Sequence, residues 1–156
     1  MKATLILVGK TTEEVFVRAI ADYARRIAHY LPFNIVTIPE LKNTKKLSEA
    51  QQKAREGELI LREIQPSDTV VLLDEHGKEF RSVDYAAWLQ KKQNTARRLV
   101  FVIGGAYGFS EAVYSRADEK ISLSKMTFSH QMVRLIFVEQ LYQACSIIRG
   151  EPYHHE

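Results

Sequence analysis

The sequence has too few cysteines for the disulfides that stabilise small secreted proteins, and it contains no long apolar segment. A single cysteine among 156 residues cannot form an intrachain disulfide. No stretch approaches the roughly 20 consecutive apolar residues needed to cross a bilayer, and the apolar run at residues 3–8 is too short for the core of a signal peptide. We therefore expect a cytoplasmic protein whose thiol stays reduced.

Two common phosphate-binding motifs and the usual zinc-binding spacings are also missing. Gly9-Lys10-Thr11 resembles the end of a P-loop, but that motif requires a glycine where Thr4 stands. No Gly-x-Gly-x-x-Gly follows an early strand, which argues against an ordinary dinucleotide site. The five histidines and one cysteine lack the spacing of zinc ligands, so we expect no metal.

The charge balance neither requires nor excludes a nucleic-acid partner. The formal net charge is +3 and the isoelectric point is near 9.0, so an RNA would have to be bound through local clusters. Such clusters occur at Lys42, Lys45 and Lys46, at Arg25 and Arg26, and at Lys91, Lys92, Arg97 and Arg98. Most charge runs are solvated faces, so the sequence leaves open whether these residues form one phosphate-binding surface.

Extended and helical segments alternate along the chain. With 46% hydrophobic residues, the chain fits one compact domain over residues 1–156. Apolar runs predict strands at 3–8, 33–38, 69–73 and 99–103, with a last extended piece at 120–123. Periodicity predicts helices at 12–30, 48–64, 82–93, 110–116 and 129–149, with Ser48 and Ser110 as N-caps of the second and fourth. This β-α-β-α pattern predicts an α/β domain with a mainly parallel sheet and helices on both faces.

The most informative segment is residues 99–109, in which an apolar run leads into a glycine-rich loop. The run suits a parallel strand covered on both faces, and Gly104, Gly105 and Gly108 then free the backbone. Open α/β sheets bind ligands at the carboxyl ends of such strands. The residues alone leave open whether the loop binds a ligand or is a plain strand-to-helix turn. Residues 74–77, after the third strand, likewise suit either a ribose contact or a solvated turn.

The last helix and the tail behind it carry further candidates. Apolar residues surround the helix at 129–149 nearly completely, and one sheet covers only one side. The remainder predicts a two-fold contact with a second copy of the chain, rather than an unusually sheltered helix in a monomer. Cys145 is most simply a small core residue. Tyr153, His154 and His155 suit either a frayed tail, which composition favours, or a role in proton transfer near neutral pH.

Six short motifs, spread from residue 72 to the C-terminus, form a specific combination. They are Leu-Leu-Asp at 72–74, Phe-Val-Ile-Gly-Gly-Ala-Tyr-Gly at 101–108, Leu-Ser-Lys-Met-Thr-Phe-Ser-His at 123–130, Val-Arg at 133–134, Glu-Gln-Leu-Tyr at 139–142 and Pro-Tyr-His-His-Glu at 152–156. Over its whole length, the chain resembles the small members of the knotted SPOUT class of RNA methyltransferases. The class commonly has proline where this chain has Gln131.

The resemblance implies an activity, a cofactor and a partner. The activity is N3-methylation of a pseudouridine in a 23S rRNA stem-loop, with S-adenosylmethionine as methyl donor, by a homodimer that acts on assembled ribosomes. A deep trefoil knot near the C-terminus is also implied, although neither periodicity nor composition indicates one. By the same resemblance the cofactor site comprises Leu73, Gly104, Gly105, Leu123, Ser124, Lys125, Met126, Thr127 and Phe128.

The implied chemistry needs a group that removes a proton from an imide nitrogen and groups that align the base. Under this resemblance His130 and His154 are candidates for proton transfer or base positioning, and Tyr153 for orienting the uracil ring. Arg134 is a candidate for holding a phosphate or stabilising the developing anion, and Glu139 for anchoring Arg134 or a histidine. Two functions of other classes stay open: a nucleotide-binding regulatory domain of flavodoxin-like form, and an RNA-binding module without catalytic activity.

Overall fold

The computed structural model describes residues 1–155, and five parallel strands form its sheet. They are β1 (Lys2–Val8), β2 (Phe33–Ile38), β3 (Thr69–Lys78), β4 (Arg98–Ile103) and β5 (Glu119–Ile121), in the order β2-β1-β4-β3-β5. The helices are α1 (Glu14–Ile27), α2 (Glu49–Arg62), α3 (Ser82–Thr95), α4 (Glu111–Arg116) and α5 (His130–Arg149), and a 3-10 turn lies at Thr44–Lys46. The predicted α/β class with a mainly parallel sheet is confirmed.

Both faces of the sheet are covered by helices, because the central strands are apolar on both sides. Residues 99–103 of β4 are all buried, as expected for a strand in the middle of a parallel sheet. One face packs against α1, α3 and α5, where the ring centroids of Phe101 and Phe137 lie 4.8 Å apart. The other face packs against α2 and α4 through Ile60 and Val113. These two layers hold the carboxyl ends of the strands in a fixed arrangement along one edge.

The third strand is longer than the predicted 69–73, and the fifth is shorter than the predicted 120–123. β3 continues to Lys78 because it pairs with β5 on both sides of an irregularity between Leu73 and Lys78. The Lys78 carbonyl accepts the Ser122 N–H at 2.9 Å. A Cβ at Gly77 would lie 2.6 Å from the backbone of Ile121, so this approach requires glycine. Residues 74–77 therefore form a bulge at the sheet edge rather than a turn beyond the strand.

Serine residues are the N-caps of three of the helices. Ser48 and Ser110, both predicted as caps, and Ser129 each accept a hydrogen bond from the N–H three residues further on. The first helix is shorter than the predicted 12–30, and the Thr12 N–H instead donates to the Gln131 side chain at 2.8 Å. This bond joins the start of α1 to the first turn of α5.

The final helix packs along α1 and α3 and supplies much of the core. Phe137, Leu141 and Cys145 are buried, so the prediction that Cys145 is a core residue is confirmed. Two of the flanking apolar residues, Leu135 and Ile147, are half-buried against the same cluster. Part of the apolar surface that predicted a second copy is thus covered within the chain. Among residues 1–155, no helix is long and apolar enough to cross a bilayer.

The C-terminal tail folds back onto α5, so the preference for a frayed tail is wrong for Tyr153 and His154. The Tyr153 hydroxyl donates to Glu139 Oε2 at 2.9 Å and lies 3.1 Å from the Tyr23 hydroxyl. Its ring meets the Tyr142 ring edge-on, with centroids 4.7 Å apart. His154 Nδ1 lies 2.7 Å from Gln143 Oε1. Aromatic packing and hydrogen bonding together therefore fix the tail.

The only tryptophan of the sequence joins α3 to the last strand. Trp88 Nε1 donates to Glu119 Oε1 at 2.9 Å, and its ring stacks on Tyr85 with centroids 5.5 Å apart. Lys92 forms an ion pair with the same Glu119 carboxylate and lies over the Trp88 ring. β5 is thus attached to the helical layer as well as to β3.

Candidate cofactor and catalytic site

A cavity of about 760 Å³ lies at the carboxyl edge of the sheet. It is open to solvent and bordered by the segments that follow β3, β4 and β5, which meet there because the strands are parallel. Its volume falls within the range of about 300–1,000 Å³ that is usual for small-molecule sites. Of the residues predicted to bind the cofactor, the cavity is lined by Leu73, Gly104, Gly105, Leu123, Ser124, Met126, Thr127 and Phe128. Lys125 is exposed and does not line it.

The glycine loop is shaped by close packing more than by unusual backbone angles. A Cβ at Gly104 would lie 2.9 Å from the Phe109 ring, and one at Gly105 would lie 2.6 Å from Glu56 Oε1. Only Gly108 of the three has a positive φ, of 80°. Its N–H donates to the Gly105 carbonyl at 3.2 Å and closes a tight turn. The loop therefore presents its backbone to the cavity in one defined conformation.

The loop after β5 forms the opposite wall of the cavity. The Ser122 hydroxyl donates to the Ser124 carbonyl at 2.9 Å, and the Ser124 hydroxyl accepts the Met126 N–H at 2.9 Å. These two bonds fold residues 122–126 back on themselves. The Met126 side chain is 79% exposed, although the residue also borders the cavity. The segment expected to bind a cofactor is thus ordered by its own serines.

The third wall contains a tyrosine that the sequence did not identify. The Tyr114 hydroxyl donates to the Asp74 carboxylate, whose other oxygen accepts the His76 N–H at 2.8 Å. Burial, and then the hydrogen bond and charge of Asp74, raise the pKa of Tyr114 to about 12. Asp74, His76 and Tyr114 all border the cavity. The bulge at 74–77 therefore belongs to the wall of the site, although its contact with a ribose stays a prediction.

His130 and Arg134 both lie at the start of α5, but only His130 is accessible from the cavity. His130 is exposed and borders the cavity. Arg134 is 2% exposed and donates to the Val8 carbonyl at 2.9 Å and to the Thr11 hydroxyl at 2.8 Å. Burial lowers the pKa of its guanidinium. Both terminal nitrogens donate to the chain's own oxygens and Nε is buried without a partner in the described part of the chain, so the contact of Arg134 with a phosphate stays a prediction that this arrangement does not support.

Glu139, Tyr153 and His154 form a second group further along α5. Glu139 accepts the Tyr153 hydroxyl and the side-chain amide of Gln143, the latter at 3.3 Å. The partners seen here are a tyrosine and a glutamine, and the anchoring of Arg134 or a histidine by Glu139 stays a prediction. Burial, followed by hydrogen bonds to Tyr23 and Glu139, raises the pKa of the Tyr153 hydroxyl. This carboxylate orders the tail.

The five candidate catalytic residues are not brought together in one chain. His130 begins α5, whereas the tail is anchored on Glu139 and Gln143 of the same helix. At about 1.5 Å of rise per residue, these anchors lie roughly 14 to 20 Å along the helix from His130. Within one chain, His130 and the anchored tail are therefore not positioned at the same cavity. No group of three or more metal-binding side chains occurs among the described residues.

Comparison with known proteins places this geometry in a family. A family model described as "Predicted SPOUT methyltransferase" matches residues 1–154. Three proteins named "Ribosomal RNA large subunit methyltransferase H" are similar over nearly their full length. That of Bacteroides fragilis is 62% identical and that of Porphyromonas gingivalis 52%, each over 100% of both chains. That of Christiangramia forsetii is 58% identical over 99% of both. The chain belongs to the SPOUT methyltransferase family, whose enzymes take the transferred methyl group from S-adenosylmethionine.

Proposed function

We propose that this chain methylates N3 of a pseudouridine in a stem-loop of 23S rRNA, on assembled ribosomes in the cytoplasm. The observation that carries the proposal is the cavity at the carboxyl edge, lined by all but one of the residues expected to bind the methyl donor. The full-length similarity to proteins named as large-subunit rRNA methyltransferases supports the choice of substrate. Reaction type and substrate are thus supported by independent observations.

The cavity fits S-adenosylmethionine in size and in chemistry. Leu73, Leu123 and Phe128 offer apolar surface for an adenine ring, and the backbone of Gly104 and Gly105 can approach a ligand without side-chain interference. Polar groups on the walls suit the hydroxyl and amino groups of the remainder. The donor supplies a methyl group on a positively charged sulfur, which is already electrophilic. The protein therefore has to orient the base and remove its N3 proton.

His130 is the residue of this chain best placed to handle that proton. It borders the cavity, is accessible, and carries an imidazole suited to proton transfer near neutral pH. Arg134 acts as a positioning residue in this proposal, because it holds Val8 and Thr11 against the helix turn that carries His130. Tyr153 and His154 would orient the base or relay the proton from a different segment.

The separation of the tail from His130 supports a homodimer with shared sites. Antiparallel pairing of α5 with its copy would bring the tail of one protomer to the cavity of the other, twice by symmetry. Apolar side chains are exposed near the starts of α1 and α5: Val15 is 69%, Val17 44% and Met132 37% exposed. The Thr12–Gln131 bond brings these helix starts together beside the cavity. Sedimentation at micromolar concentration should give a dimer, and a monomer alone would contradict this part of the proposal.

The function is tested with ribosomes that lack the modification. Incubation with tritiated S-adenosylmethionine should label one nucleotide of 23S rRNA, and mapping should place the label on N3 of a pseudouridine. Ribosomes that already carry the modification are the matched control and should take up no label. Label on another base would correct the substrate. Donor binding by calorimetry without any transfer to RNA would instead support a catalytically silent RNA-binding domain.

A further inference from the structure

Four lysines on the carboxyl edge of the sheet have no acidic partner within residues 1–155. They are Lys10, Lys42, Lys45 and Lys46, here called the basic rim, and all four are exposed. In the other basic clusters of the sequence, four cations form ion pairs, while Lys91 and Arg97 are exposed at the opposite edge of the sheet. Arg25 and Arg26 pair with Asp22, Lys92 pairs with Glu119, and Arg98 pairs with Asp68. The basic rim is thus a group of exposed cations, unpaired within the described residues, that stands at the carboxyl ends of the strands.

The basic rim lies on the same edge as the cavity. Lys10 follows β1, and the other three follow β2, so all of them stand at carboxyl ends of parallel strands. The Gly9 N–H donates to the Ile38 carbonyl at 2.7 Å, which joins the ends of β1 and β2. The Glu40 carboxylate packs so closely on Gly9 that a Cβ there would lie 2.7 Å from Glu40 Oε1. The segment before the lysines is therefore fixed to the end of β1.

A continuous series of contacts leads from this segment to the cavity wall. Arg134 binds the Val8 carbonyl and the Thr11 hydroxyl on either side of Gly9. Gln131, three residues earlier, accepts the Thr12 N–H. The neighbouring α5 residues His130 and Val133 border the cavity. The basic rim and the cavity are thus held on one rigid frame.

The loop that carries the lysines is itself ordered. Asn43 has a φ of 60° and is the only non-glycine residue with positive φ among residues 1–155. Asparagine tolerates this conformation better than most residues, and here it leads into the turn at Thr44–Lys46. The Leu47 N–H closes that turn on the Thr44 carbonyl at 3.0 Å. Ordering the backbone in advance lowers the entropic cost of binding a ligand through these side chains.

We infer that the basic rim binds the phosphate backbone of the RNA that delivers the target nucleotide to the cavity. This inference rests on the proposed function, because a base that enters the cavity must carry its flanking backbone across the same edge. Lysine ammonium groups bind phosphates as point charges without reading sequence. The basic rim therefore supplies affinity and register, while the cavity supplies the choice of base.

The test compares two variants with equal loss of charge. The rim variant combines Lys42→Ala, Lys45→Ala and Lys46→Ala. The control variant combines Lys2→Ala, Lys91→Ala and Arg97→Ala, three exposed residues at the opposite edge of the sheet. Each removes three positive charges from a formal net charge of +3 and leaves zero. Lys10 is kept in both, because its neighbours hold Arg134.

The readouts separate RNA binding from catalysis. Each lost phosphate contact should lower the slope of log affinity against log salt by about 0.7 to 0.9, so the rim variant should lose roughly 2 to 3 in slope. Its KM for unmodified ribosomes should rise at least about tenfold at physiological salt, with kcat and donor affinity unchanged. The control variant should keep the wild-type slope and KM.

Each alternative result has a distinct meaning. Equal losses in both variants would show that net charge alone matters, and would overturn the inference. A wild-type slope in the rim variant, with methylation intact, would overturn it while leaving the proposed function in place. Crosslinks from the basic rim of ribosome-bound protein to a ribosomal protein, with none to 23S rRNA, would assign the basic rim to an acidic protein partner and overturn the inference. Wild-type protein that binds unmodified ribosomes through the basic rim but transfers no methyl group to them would contradict the proposed function alone.

Discussion

Mixing two inactive variants should restore methylation if each cavity is completed by the tail of the other protomer. One variant carries His130→Ala, at an exposed position on the cavity wall. The other carries Tyr153→Ala and His154→Ala in the tail. Each should be inactive by itself, because both of its shared sites lack a group. In a mixed dimer both defects fall in one site, and the second site has an intact cavity and an intact tail.

The expected magnitude follows from two-fold symmetry. Random assembly from equal amounts gives mixed dimers as about half of the population, and each has one intact site of two, so activity should reach about a quarter of wild type. The distance that makes this necessary is the roughly 14 to 20 Å between His130 and the anchors of the tail along α5. No rearrangement of the tail alone covers that distance while the Tyr153–Glu139 bond persists.

The assay is transfer of tritium to unmodified ribosomes after the two variants are unfolded together and refolded. Each variant treated alone is the control for recovery, and sedimentation confirms that dimers form. A mixture no more active than its components would show that each site is contained in one chain, and would refute the reasoning. Full activity of both variants separately would exclude histidine as the catalytic base.

Three further predictions concern the core, the glycine loop and acid stability. Phe137→Ala removes a fully buried ring packed on β4, and should lower the free energy of unfolding by about 3–5 kcal/mol in a denaturant titration. Gly104→Ala puts a Cβ 2.9 Å from the Phe109 ring, and calorimetry should show at least about tenfold weaker binding of S-adenosylmethionine with the fold retained by circular dichroism. Burial alone would raise the pKa of Asp68, but its hydrogen bonds and the charge of Arg98 outweigh burial and lower it below 3.8. The stability that the Asp68–Arg98 pair adds is complete above pH 3.8 and is lost as the pH falls through the lower folded-state pKa. Asp68→Asn should therefore remove this part of the pH dependence of the free energy of unfolding, and an unchanged pH profile would contradict the prediction.

The sequence predicted the central elements well because their signals are local. An uninterrupted apolar run followed by glycines indicated β4 and the loop behind it, and both occur where expected. Serine before a polar first turn indicated the starts of α2 and α4, and Ser48 and Ser110 do cap them. Each of these features depends on residues within one turn or one strand.

The errors arose where a distant segment decides the local structure. β3 extends past its apolar run because residues 119–121, more than forty positions later, pair with it. The tail is ordered because Tyr23 and Glu139 supply its hydrogen-bond partners. Arg134, which the resemblance made a candidate for holding a phosphate or stabilising the developing anion, is buried because β1 and its following loop present oxygens to it. Tyr114 joined the site only through Asp74, forty residues away. The trefoil knot stays a prediction for the same reason, since it depends on the path of the whole chain.

The indole of Trp88, bonded to Glu119, gives the protein an internal fluorescent reporter. Its emission should change when residues 119–121, the last strand along the chain, pair with β3. Stopped-flow refolding followed by tryptophan fluorescence would therefore time the pairing of β5 with β3, without any dye or engineered label. Comparison of the fluorescence signal with helix content from circular dichroism would tell whether the helices form before or after β5 pairs with β3.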